Sequence, residues 1–150
     1  MALVFSKLPC ECAGTFTSNV VKAACVQWDM KLAYSGKPMQ AVVVNSGIAN
    51  ACTGKEGFDA CEATAKAVEK ALGVPFKSVA VASTGVIGMQ LPVDKLVAGV
   101  EKMAKELDSD EDLSWIKEEV EYLSKIINEK QPEEYIVITA CYSGNCNFIN

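Results

Sequence analysis

The chain has 150 residues, half of them hydrophobic, and a formal net charge of −5. This length and hydrophobic content suit one folded domain over residues 1–150 with a sizeable core, and they exclude an intrinsically disordered chain. The negative charge argues against nucleic acid and against an anionic membrane surface as partners.

Short elements are predicted in the first part of the chain. Residues 2–5 and 13–18 are β-prone, and residues 25–28 form a third short strand-like run. Residues 29–37 predict a brief helical turn that a glycine and a proline end. Because a domain rarely begins with a strand at its first residue, we expect upstream sequence to be missing.

A strand and a helix are predicted next. Residues 40–45 are rich in valine without alternation, which predicts a strand buried on both faces. After a loop over 46–57, the run Thr53-Gly-Lys-Glu56 predicts a capping box. Residues 57–72 predict a helix with one apolar stripe, and Gly73 is expected to end it.

Three more elements complete the predicted order. A second helix begins at residues 91–94, and a third is predicted over 110–130, where the apolar stripe is more typical of a core face than of a coiled-coil seam. Residues 135–139 predict a strand, and 140–150 a loop of small residues. This order favours an α/β fold, a layered sandwich of a mixed β-sheet and helices.

The stretch Val79–Gly88 is a candidate site. Its apolar, β-branched run changes into Ser83-Thr-Gly85, and Gly88 closes it. A buried strand that ends in such a turn presents backbone N–H groups and a hydroxyl without bulky side chains, and it can bind an oxyanion. An ordinary loop after a strand also accounts for these residues. A second segment of similar build, residues 41–54, favours the site.

Missing residue types restrict the chemistry. The chain has no histidine, so it contains no Ser-His or Cys-His couple. All fourteen basic residues are lysine, so it contains no guanidinium fork. General acid–base catalysis would fall to a shifted carboxylate, a lysine, a cysteine or an amino terminus.

The cysteine pattern predicts thiols rather than a disulfide framework. There are seven cysteines without CxxC spacing, and no signal peptide or membrane-length apolar run is present. We therefore expect a cytoplasmic protein with reduced, mostly buried thiols. A metal or disulfide role is the alternative for these residues: Cys10, Cys12, Cys25, Cys52, Cys61, Cys141 and Cys146.

Several long motifs in order carry a family resemblance. They are Ala13-Gly-Thr-Phe-Thr-Ser-Asn19, Val21-Lys-Ala-Ala24, Val43-Val-Asn-Ser-Gly-Ile-Ala-Asn-Ala-Cys-Thr-Gly54, Val81-Ala-Ser-Thr-Gly-Val-Ile-Gly88 and Leu91-Pro-Val-Asp-Lys95. The sequence resembles the ornithine acetyltransferase (glutamate N-acetyltransferase) family of arginine biosynthesis. The resemblance covers residues 2–107, and we expect residues 108–150 to be a divergent helix and strand.

The resemblance implies an activity and an assembly. Members fold as α/β sandwiches, and a precursor cleaves itself into an α and a β chain that form a heterotetramer. The new N-terminal threonine of the β chain moves acetyl from N-acetylornithine to glutamate without a cofactor or metal, and some members also use acetyl-CoA. Carried over to this sequence, Thr84 and Gly85 would form the oxyanion hole.

Two departures limit this expectation. The family's Ala-Thr-Met-Leu cleavage segment and its Thr-Thr-Asp-Thr substrate motif are absent, so the nucleophile is expected on a separate β chain. Near the end, Ala140-Cys-Tyr-Ser-Gly144 would put Cys141 where the family has a substrate-binding lysine. We therefore expect an α-chain-like part, which is an acyltransferase only when a β chain completes it.

Two other readings remain open. Residues 136–144 look like the nucleophile strand of caspase-like cysteine peptidases, but no histidine is present to activate Cys141, so we expect an inert thiol. Alternatively, the chain is an inactive structural or interaction subunit, or a truncated fragment of the family, in which the apolar stripe over 113–127 mediates assembly.

Overall fold

The computed structural model describes residues 1–107 and the strand 136–140. Within them lie β1 (Ala2–Cys10), β2 (Cys12–Phe16), α1 (Ala24–Ala33), β3 (Met39–Ile48), α2 (Gly54–Leu72), β4 (Val79–Val86), α3 (Val93–Glu106) and β5 (Ile136–Ala140). The helix predicted over 110–130 and the terminal loop beyond residue 140 lie outside the described residues.

The strands form two groups. In the larger sheet the order is β1-β3-β4, with β1 antiparallel and β4 parallel to β3. The helix α2 makes the crossover that parallel neighbours such as β3 and β4 require. The second group is a parallel pair of β2 and β5. The predicted α/β fold with a mixed sheet is therefore confirmed.

The core lies where α2 packs against the sheet and against α1 and α3. Ala65 and Val68 of α2 and Val79 of β4 are fully buried. In β3, burial alternates: Val43 is 1% exposed, whereas the residues on either side of it are half-buried. The prediction that β3 is buried on both faces is therefore confirmed for the face that carries Val43. In the described residues, the opposite face is half-buried.

The strand predicted over residues 25–28 was wrong, because these residues lie in the helix α1 (Ala24–Ala33), which also contains the first part of the helical turn predicted over 29–37. Cys25, Asp29 and Leu32 follow helical spacing, and all are buried. This helix packs along the first residues of β4, on the edge that faces away from β3. Trp28 Nε1 donates to the Val79 carbonyl at 3.0 Å, and the Val81 N–H donates to Asp29 Oδ1 at 3.0 Å.

The predicted capping box is absent, although the helix was predicted correctly. Thr53 precedes α2 with helical backbone angles and makes no capping hydrogen bond. Its hydroxyl donates instead to Asn50 Oδ1 at 2.6 Å, because the buried amide offers an acceptor three residues away. At the other end, Gly73 takes the expected left-handed conformation, with φ of 68°.

The remaining elements agree with the sequence in kind and differ at their ends. β1 runs beyond the predicted strand of 2–5, and β4 runs beyond the apolar run that starts at Val79. The predicted second helix is α3, which buries Leu96 and Val100. The predicted last strand is β5. None of the helices in the described residues is both long enough and apolar enough to cross a membrane.

Candidate functional site

The candidate site lies at the carboxyl ends of β3 and β4. Because the two strands are parallel and in register, Ser46 lies beside Thr84, and Gly47 beside Gly85. The two similar segments recognised in the sequence therefore meet at one edge of the sheet. In open α/β sheets, this end of the strands is where ligands commonly bind.

Gly85 allows the two strands to approach closely. Its φ is +131°, and that of Gly47 is +110°. A Cβ atom at Gly85 would collide with the carbonyl group of Gly47 and would lie 2.7 Å from the Ile48 nitrogen. A side chain is therefore excluded at Gly85 both by its backbone conformation and by the neighbouring strand.

The stretch Ser83-Thr-Gly85 is strand and not the predicted turn, since β4 continues to Val86. The physical reason is the register with β3, which extends through the pair of Ile48 and Val86. The chain bends only after this pair, where Gly88 has φ of 82° and its N–H donates to the Ala51 carbonyl at 3.1 Å.

The hydrogen bonds of β4 indicate towards which edge of the strand the Gly85 N–H points. The Val79 carbonyl and the Val81 N–H bond to α1 on the outer edge, and the Val86 carbonyl accepts from Ala49 N–H on the side of β3. Because backbone groups alternate along a strand, Gly85 N–H shares the outer edge with Val81. The half-buried Thr84 lies beside it.

Side-chain hydrogen bonds hold this strand end in place. Ser83 Oγ donates to the Ile48 carbonyl at 3.2 Å and accepts from Asn50 N–H at 3.2 Å. Asn45 Nδ2 donates to the same Ile48 carbonyl at 3.0 Å. The roles of Ser83 and Asn45 were not predicted from the motifs, because these bonds join residues that only the fold brings together.

Asn50 connects the strand end to α2 and was also missed. It is 2% exposed, and its Nδ2 donates to the Gly57 carbonyl at 2.7 Å and contacts Cys61 Sγ at 3.1 Å. Thr53 donates to its Oδ1. A buried asparagine among small residues, Ala49-Asn-Ala51, was the available signal for this role.

The site is uncharged in sequence. No charged residue occurs in residues 38–54 or 78–93. In these two segments, a developing negative charge can interact only with backbone dipoles, hydroxyls and amides. The positive end of the α2 dipole, which follows residue 53, adds to them. Such an arrangement is chemically able to donate hydrogen bonds to an oxyanion without holding a permanent counter-ion.

Three buried ionisable groups, Asp29, Cys25 and Cys61, have pKa values that burial raises. Burial raises the pKa of Asp29 to about 7, against a weaker lowering by the Val81 N–H. Burial and the nearby Asp29 carboxyl raise the pKa of Cys25 to about 11, and burial likewise raises the pKa of Cys61. These thiols are not activated nucleophiles. Cys141 lies outside the described residues.

A metal centre finds no support among residues 1–107 and 136–140, which contain no cluster of three or more suitable acidic or cysteine ligands. Of the cysteines with described side chains, Cys25 and Cys61 are buried, Cys10 and Cys12 are half-buried, and Cys52 is exposed. The prediction of mostly buried thiols is therefore confirmed for Cys25 and Cys61 and not for the other three.

Comparisons with known proteins agree with this fold and these motifs. The ArgJ family model matches residues 1–131. The arginine biosynthesis bifunctional protein ArgJ of Thermotoga neapolitana is 47% identical over 111 residues, which are 73% of this chain and 28% of that protein. The ArgJ protein of Streptomyces coelicolor is 54% identical over 95 residues, covering 63% of this chain and 24% of that protein.

Solved structures give the same result. The arginine biosynthesis bifunctional protein argJ of Bacillus halodurans superposes with a TM-score of 0.64 at 37% identity, over 67% of this chain and 52% of that chain. Ornithine acetyltransferase of Mycobacterium tuberculosis, solved in complex with ornithine, superposes with a TM-score of 0.65 at 46% identity, over 71% of this chain and 57% of that chain.

This is a mixed α/β chain with the fold of the bifunctional arginine-biosynthesis proteins. The chain belongs to the ArgJ family. The resemblance to ornithine acetyltransferases is thereby confirmed. The chain spans about a quarter of the length of the curated relatives it matches, 28% in the Thermotoga neapolitana protein.

Proposed function

We propose that this chain supplies the oxyanion-stabilising part of an acetyltransferase that moves acetyl from N-acetylornithine to glutamate. Family membership supports the reaction class. The observation that carries the assignment is Gly85, whose φ of +131° and contact with Gly47 exclude any side chain. A strand end kept clear in this way suits close approach of a substrate carbonyl.

In this proposal, the nucleophile is the N-terminal threonine of a separate β chain. Its hydroxyl oxygen attacks the acetyl carbonyl, and its own α-amine accepts the hydroxyl proton. The Thr84 hydroxyl and the Gly85 N–H donate hydrogen bonds to the carbonyl oxygen as it becomes an oxyanion. The α-ammonium returns this proton to the nitrogen of ornithine, which leaves as an amine. The glutamate amine then attacks the acetyl-threonine ester, and its proton passes through the α-amine to the threonine oxygen as the ester bond breaks.

The proposal includes an assembly. The end of β4 and the bend after it expose three large apolar side chains within four residues, with Val86 57%, Ile87 47% and Met89 50% exposed. Contiguous exposed apolar side chains are typical of an interaction surface. We assign this surface to the β chain, in a cytoplasmic heterotetramer.

The second candidate is a structural or interaction subunit without catalytic activity. The same exposed apolar residues favour it, because they suit a partner chain whether or not the partner carries a nucleophile. The two candidates differ only in what happens to an acetyl group once the partner is bound.

One assay separates them. Acetyl transfer from N-acetylornithine to glutamate is measured with this chain alone and with a family β chain added. The proposal predicts transfer only in the mixture, with the two chains co-eluting by size-exclusion chromatography. Co-elution without transfer would favour the structural subunit, and absence of both would contradict both candidates.

A further inference from the structure

A second concave site lies at the opposite end of β4. It is a cleft of about 280 Å³ between α1, α2 and the loop that leads into β4. Seven residues separate this loop, at Lys77, from Thr84, and a strand rises about 3.3 Å per residue, so the cleft is roughly 20 Å from the candidate acetyl-transfer site. The cleft is just below the range of about 300–1,000 Å³ that is typical of small-molecule sites.

The cleft is basic although the chain is acidic. Its lining includes three lysines, Lys31, Lys37 and Lys77, and a single carboxylate, Glu62. That carboxylate is already paired with Lys66, at 2.6 Å, one turn further along α2. In a chain of net charge −5, such a cluster concentrates positive potential in one concave place and favours an anionic ligand.

Lys77 has a backbone conformation that favours glycine. Its φ is +63°, in the left-handed region that a lysine adopts only at a cost. The Lys77 N–H is held there by Glu69 Oε1 at 2.6 Å, and Glu69 is itself only 8% exposed. A residue held in such a conformation by a buried carboxylate is typical of ligand-binding loops.

Aromatic rings complete the lining. Phe76 is 55% exposed, and Lys77 Nζ lies 5.3 Å from the centre of its ring. Phe58 lies under Lys31, whose Nζ is 4.2 Å from that ring centre. An exposed ring beside several ammonium groups offers a stacking surface for a planar group together with donors for an anion.

We propose that this cleft binds a nucleoside monophosphate. The base stacks on Phe76, and the phosphate accepts hydrogen bonds from Lys77 and from the neighbouring lysines. Because Glu62 is paired with Lys66, the three lining lysines leave the cleft an excess of positive charge that suits a phosphate dianion, and the volume suits a ligand with one phosphate. The inference does not rest on the acetyl-transfer proposal, because the two sites share no residue.

Calorimetric titration of the full chain with AMP, adenosine and inorganic phosphate tests the proposal. AMP is expected to bind at least about tenfold more tightly than adenosine or inorganic phosphate, since the cleft contacts both the base and the phosphate. Lys77→Gly removes the ammonium while suiting the left-handed backbone, and Phe76→Ala removes the ring. Each is expected to weaken AMP binding about tenfold.

A matched control is Lys95→Gln, on the exposed side of α3, which is expected to leave AMP binding unchanged. The thermal unfolding midpoint of Lys77→Gly should be equal to or above that of the parent chain, which separates lost binding from lost folding. Absence of AMP binding at millimolar concentration would overturn the proposal. Equal binding of AMP and phosphate, or equal weakening by Lys95→Gln and Lys77→Gly, would also overturn it.

Discussion

Gly85 and Asp29 show how single positions are determined by their surroundings. At Gly85, the neighbouring strand and a φ of +131° leave no room for a Cβ atom. At Asp29, a carboxyl that is 4% exposed takes the place of a strand neighbour by accepting the Val81 N–H. Each position can be tested by a single substitution.

We expect Gly85→Ala to lower the free energy of unfolding by about 2–5 kcal/mol, because backbone strain and overpacking add. The control is Gly36→Ala, which shares a positive φ but has no atom near its Cβ position. It should cost only about 1–2 kcal/mol. Urea unfolding measures both, and equal losses would contradict the close approach of Gly85 to Gly47.

Asp29 should make stability depend on pH. Its pKa is raised from 3.8 to about 7 in the folded chain. A raised carboxyl pKa means that its stabilising contribution is full below about pH 4 and is lost as pH rises through 7. We expect the free energy of unfolding to fall by up to about 4 kcal/mol across this window.

Two variants isolate this contribution. Asp29→Asn keeps an oxygen acceptor for the Val81 N–H without a titrating charge, so its unfolding free energy should lack the decrease between pH 4 and 7. The exposed Asp94→Asn, in the first turn of α3, should keep the parent profile. A parent-like decrease in Asp29→Asn would show that another group causes it.

At the scale of elements, the hydrophobic patterns predicted most segments and mistook one. The valine-rich run of β3 was sufficient because β-branched residues favour strands, and the stripe of α2 was sufficient because its helical period is clear. Helix α1 was missed because an acidic residue, Asp29, interrupts its apolar stripe at a position that the fold buries. Only the edge of β4, which is more than fifty residues away in sequence, explains that burial.

The start of α2 gives a second test at this scale. We expect Thr53→Ala to lower the free energy of unfolding by about 1–3 kcal/mol, because it leaves the buried Asn50 Oδ1 without its donor. Thr53→Ser should restore it. Glu56→Ala, at an exposed position, should change stability by at most about 0.5 kcal/mol. Comparable losses in Thr53→Ala and Glu56→Ala, measured by urea unfolding, would instead favour the capping box.

At the scale of the whole molecule, the two ends of β4 carry different chemistry. The carboxyl end is a neutral strand pair built from glycines and hydroxyls, whereas the other end opens into a basic, aromatic cleft. The sequence motifs identified Thr84 and Gly85 as candidates. They did not predict the contact with Gly47 or the hydrogen bonds of Ser83, because these depend on pairing between residues more than thirty positions apart.

The central claim is that Thr84 and Gly85 stabilise an oxyanion, and Thr84→Ala in the mixture with a family β chain tests it most directly. The exposed Thr15→Ala in β2 is the matched control, and Thr84→Ser should keep the hydroxyl and most of the rate. The claim predicts that kcat falls about 10²–10³-fold in Thr84→Ala, with KM little changed. An unchanged kcat in a folded, β-chain-bound Thr84→Ala variant would contradict it.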